Sequence, residues 1–400
     1  VTAEAAAMPS RSCPRCAFPL HPEDHFCEEC GLVLEPRAGA VVSAVPEAAG
    51  LGAVGRAQAE AGDEIGGVDA DSVQFDAAAR PSGPSRRPGV KVVDVDLDTV
   101  PARCSACSGD IASDGYCERC GTSALRLRDH WVERPASWVA LVCDRGVRHA
   151  INQDGAAVGA SSDPGSFAAL VVCDGVSSAA RSEVASLAAA RAARDFLVAP
   201  RQADVGRSAE SSAVPSRASL LSAAMREAGA AAQDRAVSAA SDPPEYNPPA
   251  CTFAAAVIDE SVLVAGWVGD SRVYWIPDGD QPLQLSEDDS LAGEAIRQGL
   301  PRADAERSPH AHSITRWLGL DAPDPVPRIA VRRIAAPAWV LVCSDGLWNY
   351  CSEATEMGGL VQRCASEVGQ DVAGVAEALV AWAIEQGGHD NIAVALARMG

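Results

Sequence analysis

Aromatic residues are scarce in this 400-residue chain, at 4%, and lysine is replaced by arginine almost everywhere, while alanine is very abundant. That bias reads as the coding preference of a GC-rich genome and carries no functional weight. Basic charge is short as well: 33 Lys and Arg stand against 54 Asp and Glu, a formal net charge of −21. A chain this acidic repels phosphate backbones and anionic lipid, which argues against broad electrostatic binding of nucleic acid. Long apolar runs are missing too. The longest candidate, SVLVAGWVGD, ends in a carboxylate and falls short of the roughly 18 to 20 apolar residues that a spanning helix needs, so no membrane partner is expected. The stretch VTAEAAAMPSRS lacks a basic leader followed by an apolar run. No secretory signal is therefore expected, and the expected compartment is the cytoplasm.

Length is ample. At about 150 residues per domain the chain has room for two to three domains and a sizeable core. Composition divides it sharply. Residues 10–35 hold a tight cysteine cluster, 36–102 are expected to be a disordered linker because they lack hydrophobic periodicity, and 103–122 hold a second cysteine cluster. From about 135 to 399, short β-branched runs such as SWVALVC, FAALVVC and AWVLVCS accompany long Ala-rich amphipathic stretches such as EVASLAAARAARDFLVA. That pattern predicts one mixed domain of strands and helices. The segments PRQADVGRSAESSAVPS and SDPPEYNPPA read as loops within it.

In a reducing compartment, 14 cysteines are metal ligands, catalytic thiols or small core residues rather than disulfides. Spacing decides which. Cys13 and Cys16 are followed, after ten residues, by Cys27 and Cys30; Cys104 and Cys107 are followed, after nine, by Cys117 and Cys120. A two-residue gap lets a tight turn aim both thiolates at one ion, and two such knuckles close a tetrahedral site. Each cluster resembles a small zinc ribbon with a structural ion. A redox dithiol is the alternative, but it needs a thioredoxin-like unit that is absent from the pattern. So little core surrounds each cluster that the metal is expected to supply most of its folding free energy. The other six, Cys143, Cys173, Cys251, Cys343, Cys351 and Cys364, lack such spacing and suit buried positions.

Aspartates mark the ends of the predicted strands. Asp174 follows FAALVVC, Asp270 follows VLVAGWVG, Asp345 follows AWVLVCS, Asp390 precedes NIAVALA, and Asp154 follows Arg148-His149-Ala-Ile-Asn-Gln. An isolated Asp-Gly at a strand end is ordinarily a turn former. Several at one sheet edge would repel one another unless a cation sits among them, and oxygen ligands without His or Cys select magnesium or manganese. Two such ions suit hydrolysis of a phosphoester.

The segments Gly146-Val-Arg-His-Ala-Ile-Asn-Gln-Asp154, Val172-Cys-Asp-Gly-Val176, Gly269-Asp-Ser-Arg272-Val-Tyr274, Ile314-Thr-Arg316-Trp-Leu-Gly319, Cys343-Ser-Asp-Gly-Leu-Trp348 and Gly388-His-Asp-Asn391 occur in that order. Together they resemble the metal-dependent Ser/Thr protein phosphatases of type 2C. The resemblance implies an α+β fold, a central antiparallel β-sandwich flanked by helices on both sides. It implies that Asp174 bridges two ions, that the Gly175 carbonyl binds one of them, and that Asp345 and Asp390 bind the other. Asp154 stands where bacterial members place a ligand or a carboxylate behind the ligands, and Asp270 resembles a position that binds a third, weaker metal together with Asp345. The nucleophile would be the bridging hydroxide. Three positions depart from the common pattern: Gln153 where many members have a Glu ligand, His149 where many have a phosphate-clamping Arg, and Val176 where eukaryotic members have a His. Arg148 lies one residue before His149, so either residue could hold the phosphate.

The function expected is hydrolysis of phosphoserine and phosphothreonine on proteins that Ser/Thr kinases have modified, with the ribbons as a docking or regulatory module for a protein partner. The alternative is a pseudo-phosphatase that binds phosphorylated partners without turnover. A like-charge cluster of Asp174, Asp345 and Asp390 would be costly to keep without metals, which favours turnover. Neither ribbon has a dense run of Arg and Lys, so protein contact is favoured over nucleic acid.

Overall fold

The structure is a computed structural model, and it describes residues 11–12, 19–20, 87–97, 99–104, 106–113, 115–122, 124, 126–200, 216–240, 246–308 and 310–400. The chain divides into two units, Val1–Gly83 and Pro84–Gly400. In the first, the described residues form one antiparallel pair, β1 (Arg11–Ser12) with β2 (Pro19–Leu20). The first cysteine cluster and most of the expected linker lie outside the described residues.

The second unit contains β3 (Val90–Val92), β4 (His130–Ala136), β5 (Val139–Asp144), β6 (Gly155–Ser161), β7 (Phe167–Cys173), β8 (Ala250–Cys251), β9 (Phe253–Asp259), β10 (Val262–Val268), β11 (Arg272–Pro277), β12 (Leu283–Gln284), β13 (Leu318–Gly319), β14 (Arg328–Arg333), β15 (Ala338–Cys343) and β16 (Ile392–Met399). Its helices are α1 (Ser182–Val198), α2 (Arg217–Ser238), α3 (Leu291–Arg297), α4 (Arg302–Ala305), α5 (Asp345–Trp348), α6 (Ala354–Val368) and α7 (Val372–Glu385). Two six-stranded sheets form a sandwich, ordered β14-β10-β9-β7-β6-β3 and β12-β11-β15-β16-β5-β4, and β8 pairs separately with β13. Every strand pair is antiparallel.

Helices α1 and α2 cover the first sheet, and α6 and α7 cover the second. Each central strand is thus buried on both faces, which is why FAALVVC is apolar throughout instead of alternating. The strand period still sorts its side chains: Ala168, Leu170 and Val172 face the other sheet, while Ala169, Val171 and Cys173 meet the helices. Alanine abundance has a packing consequence. Ala185, Ala189, Ala190 and Ala193 of α1 are fully buried in the same cluster as Ala224, Ala228 and Ala232 of α2. Among the described residues, no helix is long and apolar enough to cross a membrane.

The expected linker ends too late. Val90–Val92 forms an edge strand on β6, Arg87 pairs with Asp259 at 3.1 Å, and Leu97 is 3% exposed in the inter-sheet core. A Val-Lys-Val triplet among Pro and Asp is too short to carry a readable period, and only its partner strand makes it a strand. The second cysteine cluster is therefore an insertion between β3 and β4.

Candidate active site

Strand register brings the aspartates to one end of the sandwich. Gly155 pairs with Cys173, Cys343 pairs with both Arg272 and Val394, and Ile392 pairs with Asp144. Asp154, Asp174, Asp345 and Asp390 sit next to these strand ends, and Asp270 lies in the tight connection between β10 and β11. Residues remote in sequence thus share one rim.

Asp154 is buried; its Oδ2 accepts from the Ser344 hydroxyl at 2.7 Å, and its Oδ1 has no hydrogen-bond partner. Asp345 Oδ2 accepts from Asn349 Nδ2 at 3.1 Å, and its Oδ1 is likewise buried without a partner. Asp174 is held through its backbone: its N–H donates to Thr252 Oγ1 at 2.9 Å, and its carbonyl accepts the Thr252 N–H at 2.7 Å. The Thr252 and Ser271 hydroxyls lie 2.7 Å apart, which ties Asp174 to the turn carrying Asp270. Asp390 Oδ1 lies 3.3 Å from His149 Nε2.

Burial pushes the carboxyls of Asp154, Asp174 and Asp270 well above the usual range, and repulsion from their neighbours adds to it. Burial and the adjacent Asp390 push Asp345 up to about 7. Among the described residues no three of the aspartates bring one oxygen each within 4.8 Å of one another, so these mutually repelling carboxylates are strung along the rim rather than gathered in a single knot. Such a string, with two buried oxygens lacking partners, fits hard divalent cations.

Gly175 has no room for a side chain, because a Cβ there would lie 2.5 Å from the Gln153 carbonyl oxygen. Gln153 is held by its backbone, its N–H donating to Asn391 Oδ1 at 2.7 Å. Of the two phosphate candidates, His149 reaches a carboxylate, whereas Arg148 is exposed and makes no ion pair among the described residues. The six unpatterned cysteines are all buried, and burial raises the thiols of Cys143, Cys173 and Cys343. They are core residues.

Sequence reasoning left Arg272 without a role. Its fully buried guanidinium donates to Asp288 Oδ2 at 2.6 Å and to the Ser352 carbonyl at 3.0 Å, and lies 3.5 Å over the Trp348 ring. Glu306, just after α4, joins at 3.3 Å. The segment holding α3 and α4 is thereby tied to α5, whose first residue is Asp345. The motif Gly-Asp-Ser-Arg carried the signal, but its partners are distant in sequence.

At the second cysteine cluster, Cys107 Sγ lies 3.3 Å from Cys120 Sγ and 3.4 Å from Cys117 Sγ, and Cys104 Sγ lies 3.7 Å from Cys120 Sγ. All four sulfurs fall within 4.8 Å of one another. The residue after each knuckle, Ser108 and Gly121, adopts positive φ. Contact with Thr122 holds the Cys120 thiol down to about 6.

A model of the family described as protein phosphatase 2C matches residues 145–382. The chain belongs to the protein phosphatase 2C family. Among similar family members, the serine/threonine phosphatase stp of Listeria innocua is 35% identical over 148 residues, 36% of this chain and 55% of that protein. The protein phosphatase PhpP of Streptococcus pneumoniae is 34% identical over 145 residues, again 36% and 55%. The chain spans about half the length of the curated relatives it matches. The serine/threonine phosphatase Stp1 of Staphylococcus aureus superposes with a TM-score of 0.51 at 21% identity, covering 66% of this chain and 94% of that one. The S. agalactiae serine/threonine phosphatase gives 0.50 at 22%, covering 68% and 100%. At such identities the structures share the family's fold.

Proposed function

We propose that this 2C-family chain is a cytoplasmic protein-serine/threonine phosphatase that hydrolyses phosphoserine and phosphothreonine on kinase-modified proteins with two, and at most three, manganese or magnesium ions. The observation that carries the reading is the pair of buried, partnerless oxygens on Asp154 and Asp345 within a string of mutually repelling carboxylates. Asp174 would serve both principal ions, the Gly175 carbonyl one of them, and Asp345 and Asp390 the other. Asp154 would orient the first pair, and Asp270 with Asp345 would take the third. Bound there, a pair of divalent ions activates water and neutralises charge on the phosphoryl oxygens.

The chain's own residues do the rest. Ser344, Thr252 and Asn349 hold Asp154, Asp174 and Asp345 in place through the hydrogen bonds given above. His149 is the residue assigned to the phosphate, because it reaches the carboxylates and Arg148 does not. Val176 has no proton to give.

The cysteine clusters are assigned one structural zinc each, as a docking or regulatory module for a protein partner. A tetrahedron with Zn–S of about 2.3 Å has edges of roughly 3.8 Å. The sulfur separations of 3.3 to 3.7 Å in the second cluster support that ion, and the first repeats its spacing in sequence.

Hydrolysis of a small aryl phosphate and of a phosphothreonine peptide, measured with and without manganese, tests the reading. Turnover that requires manganese and is abolished by Asp174→Asn is expected. Peptide binding without turnover in the wild-type chain would instead identify a phosphoprotein-binding protein.

A further inference from the structure

The second cysteine ribbon is built into the phosphatase fold at both ends. Ahead of it, Leu97 is 3% exposed in the inter-sheet core. Behind it, the ribbon's own hydrogen bonding runs to Ala124, whose N–H donates to the Gly115 carbonyl at 2.8 Å. Arg126, the next residue but one, opens a single 3-10 turn, Leu127–Asp129, and its N–H donates to Asp129 Oδ2 at 2.9 Å. The ribbon therefore feeds directly into this turn.

The turn in turn grips the active-site loop. Arg128 Nε donates to the Asn152 carbonyl at 2.9 Å, and its Nη2 donates to the Glu183 carbonyl at the start of α1. Asn152, 1% exposed, answers with Nδ2 donating to the Arg128 carbonyl at 3.0 Å, while its Oδ1 accepts the Asp154 N–H at 3.1 Å. Backbone and side chain of Asn152 are thus both held by Arg128, and Asn152 holds Asp154. The same turn reaches the other side of the site. The Asp129 carbonyl accepts the Arg145 N–H at 2.8 Å, and the Arg145 carbonyl accepts from Asn391 Nδ2 at 2.7 Å, beside Asp390.

Holding a buried carboxylate among like charges requires support from outside the cluster, and loss of a partner that orients a metal ligand typically costs about 10- to 100-fold in metal affinity. We propose that Arg128 is a positioning residue for the Asp154 loop, and that the four-cysteine ribbon, through the turn it feeds, sets the affinity of the catalytic centre for its divalent ions. Folding of the ribbon around its metal keeps the clasp closed; stripping that metal loosens it. This inference rests on the reading of the aspartates as manganese or magnesium ligands.

The full chain tests it, as wild type, Arg128→Ala, Arg128→Lys, Cys117→Ser and the Arg128→Ala/Cys117→Ser double variant. Manganese binding is measured by calorimetry, and hydrogen exchange of the amides from 150 to 156 is followed in chain freed of manganese and magnesium. Arg128→Ala is expected to weaken manganese binding about tenfold and to speed that exchange, with partial rescue by lysine. Cys117→Ser should weaken binding in the wild-type background and add nothing to Arg128→Ala, because both act through one clasp. Unchanged binding in Arg128→Ala, or two effects that multiply independently, overturns the inference. Should Arg128→Ala fail to fold, Cys117→Ser alone decides: exchange at 150–156 unchanged from wild type overturns it. A wild-type chain that binds no manganese defeats the functional reading instead, while the exchange comparison still tests the clasp.

Discussion

The hydroxyl of Ser344 donates to Asp154 Oδ2 at 2.7 Å, joining residues 190 apart in sequence, and Ser344 Oγ itself accepts the Ala393 N–H at 2.8 Å. One small side chain thereby fastens three approaches to the aspartate rim. Ser344→Ala removes the donor that lowers the Asp154 pKa and leaves a second carboxylate oxygen without a partner. A stability loss of about 1–2 kcal/mol is expected in urea denaturation. Manganese affinity should fall with it, read by calorimetry.

Like-charge repulsion among Asp154, Asp174 and Asp345 has an opposite signature in metal-free protein. Asp174→Asn or Asp345→Asn relieves it, so each variant should melt higher than wild type in chelator, by the equivalent of about 1–2 kcal/mol. In manganese the order should reverse, since only wild type gains stability by binding. Differential scanning calorimetry in both buffers checks this, and variants that melt lower in chelator would contradict the repulsion.

Glu133 on β4 is 1% exposed, and burial pushes its carboxyl from 4.5 up to about 7 against the pull of Arg194. Below pH 4.5 both folded and unfolded chains hold this proton. Between there and 7 the unfolded chain releases it while the folded chain keeps it, so stability falls as pH rises through that window. The loss is about 3 kcal/mol and complete above 7. Glu133→Gln stays neutral throughout, so its advantage over wild type should be absent at pH 4 and largest at pH 8. An advantage independent of pH, found by denaturation at both values, would rule this out.

Arg272 is a buried cation whose partners include Asp288 and the Trp348 ring. Arg272→Ala strands the Asp288 carboxylate and should cost about 3–5 kcal/mol. Arg272→Lys keeps the charge but loses the forked geometry, so an intermediate loss is expected. Because this network joins the α3–α4 segment to α5, protease cleavage between 291 and 308 should speed up in both variants.

Chelation is expected to release the thiols of the four-cysteine cluster from 104 to 120, to which a structural zinc is assigned above, to a colorimetric reagent while the far-ultraviolet signal of the sandwich persists, because the sandwich has its own apolar core. Loss of the sandwich signal together with thiol release would mean that the ribbon metal holds the whole fold.

Much of this was legible in one dimension, and particular residues show where legibility stopped. FAALVVC announces β7 because a strand covered on both faces needs apolar residues at every position. GAAVGAS, the neighbouring β6, announces nothing, since Ala and Gly favour no strand and only β7, β3 and the closely packed α1 make it one. The aspartates were visible as strand-end residues, but the supporting roles of Ser344, Asn152 and Asn391 were not, because hydrogen bonds across 190, 24 and 238 residues leave no local trace.

The amino-acid sequence alone determined the chemistry on offer: paired cysteine knuckles at matched spacing, carboxylates at strand ends, and the ordered motifs of a 2C phosphatase. Those features are written in residue type and short-range spacing. Only tertiary structure decided that His149 rather than Arg148 reaches Asp390, that Val90–Val92 belongs to a sheet, and that Arg128 clasps the loop of Asp154. Each of these depends on which distant backbone lies alongside, and that is set by the burial of two sheets between two layers of helices.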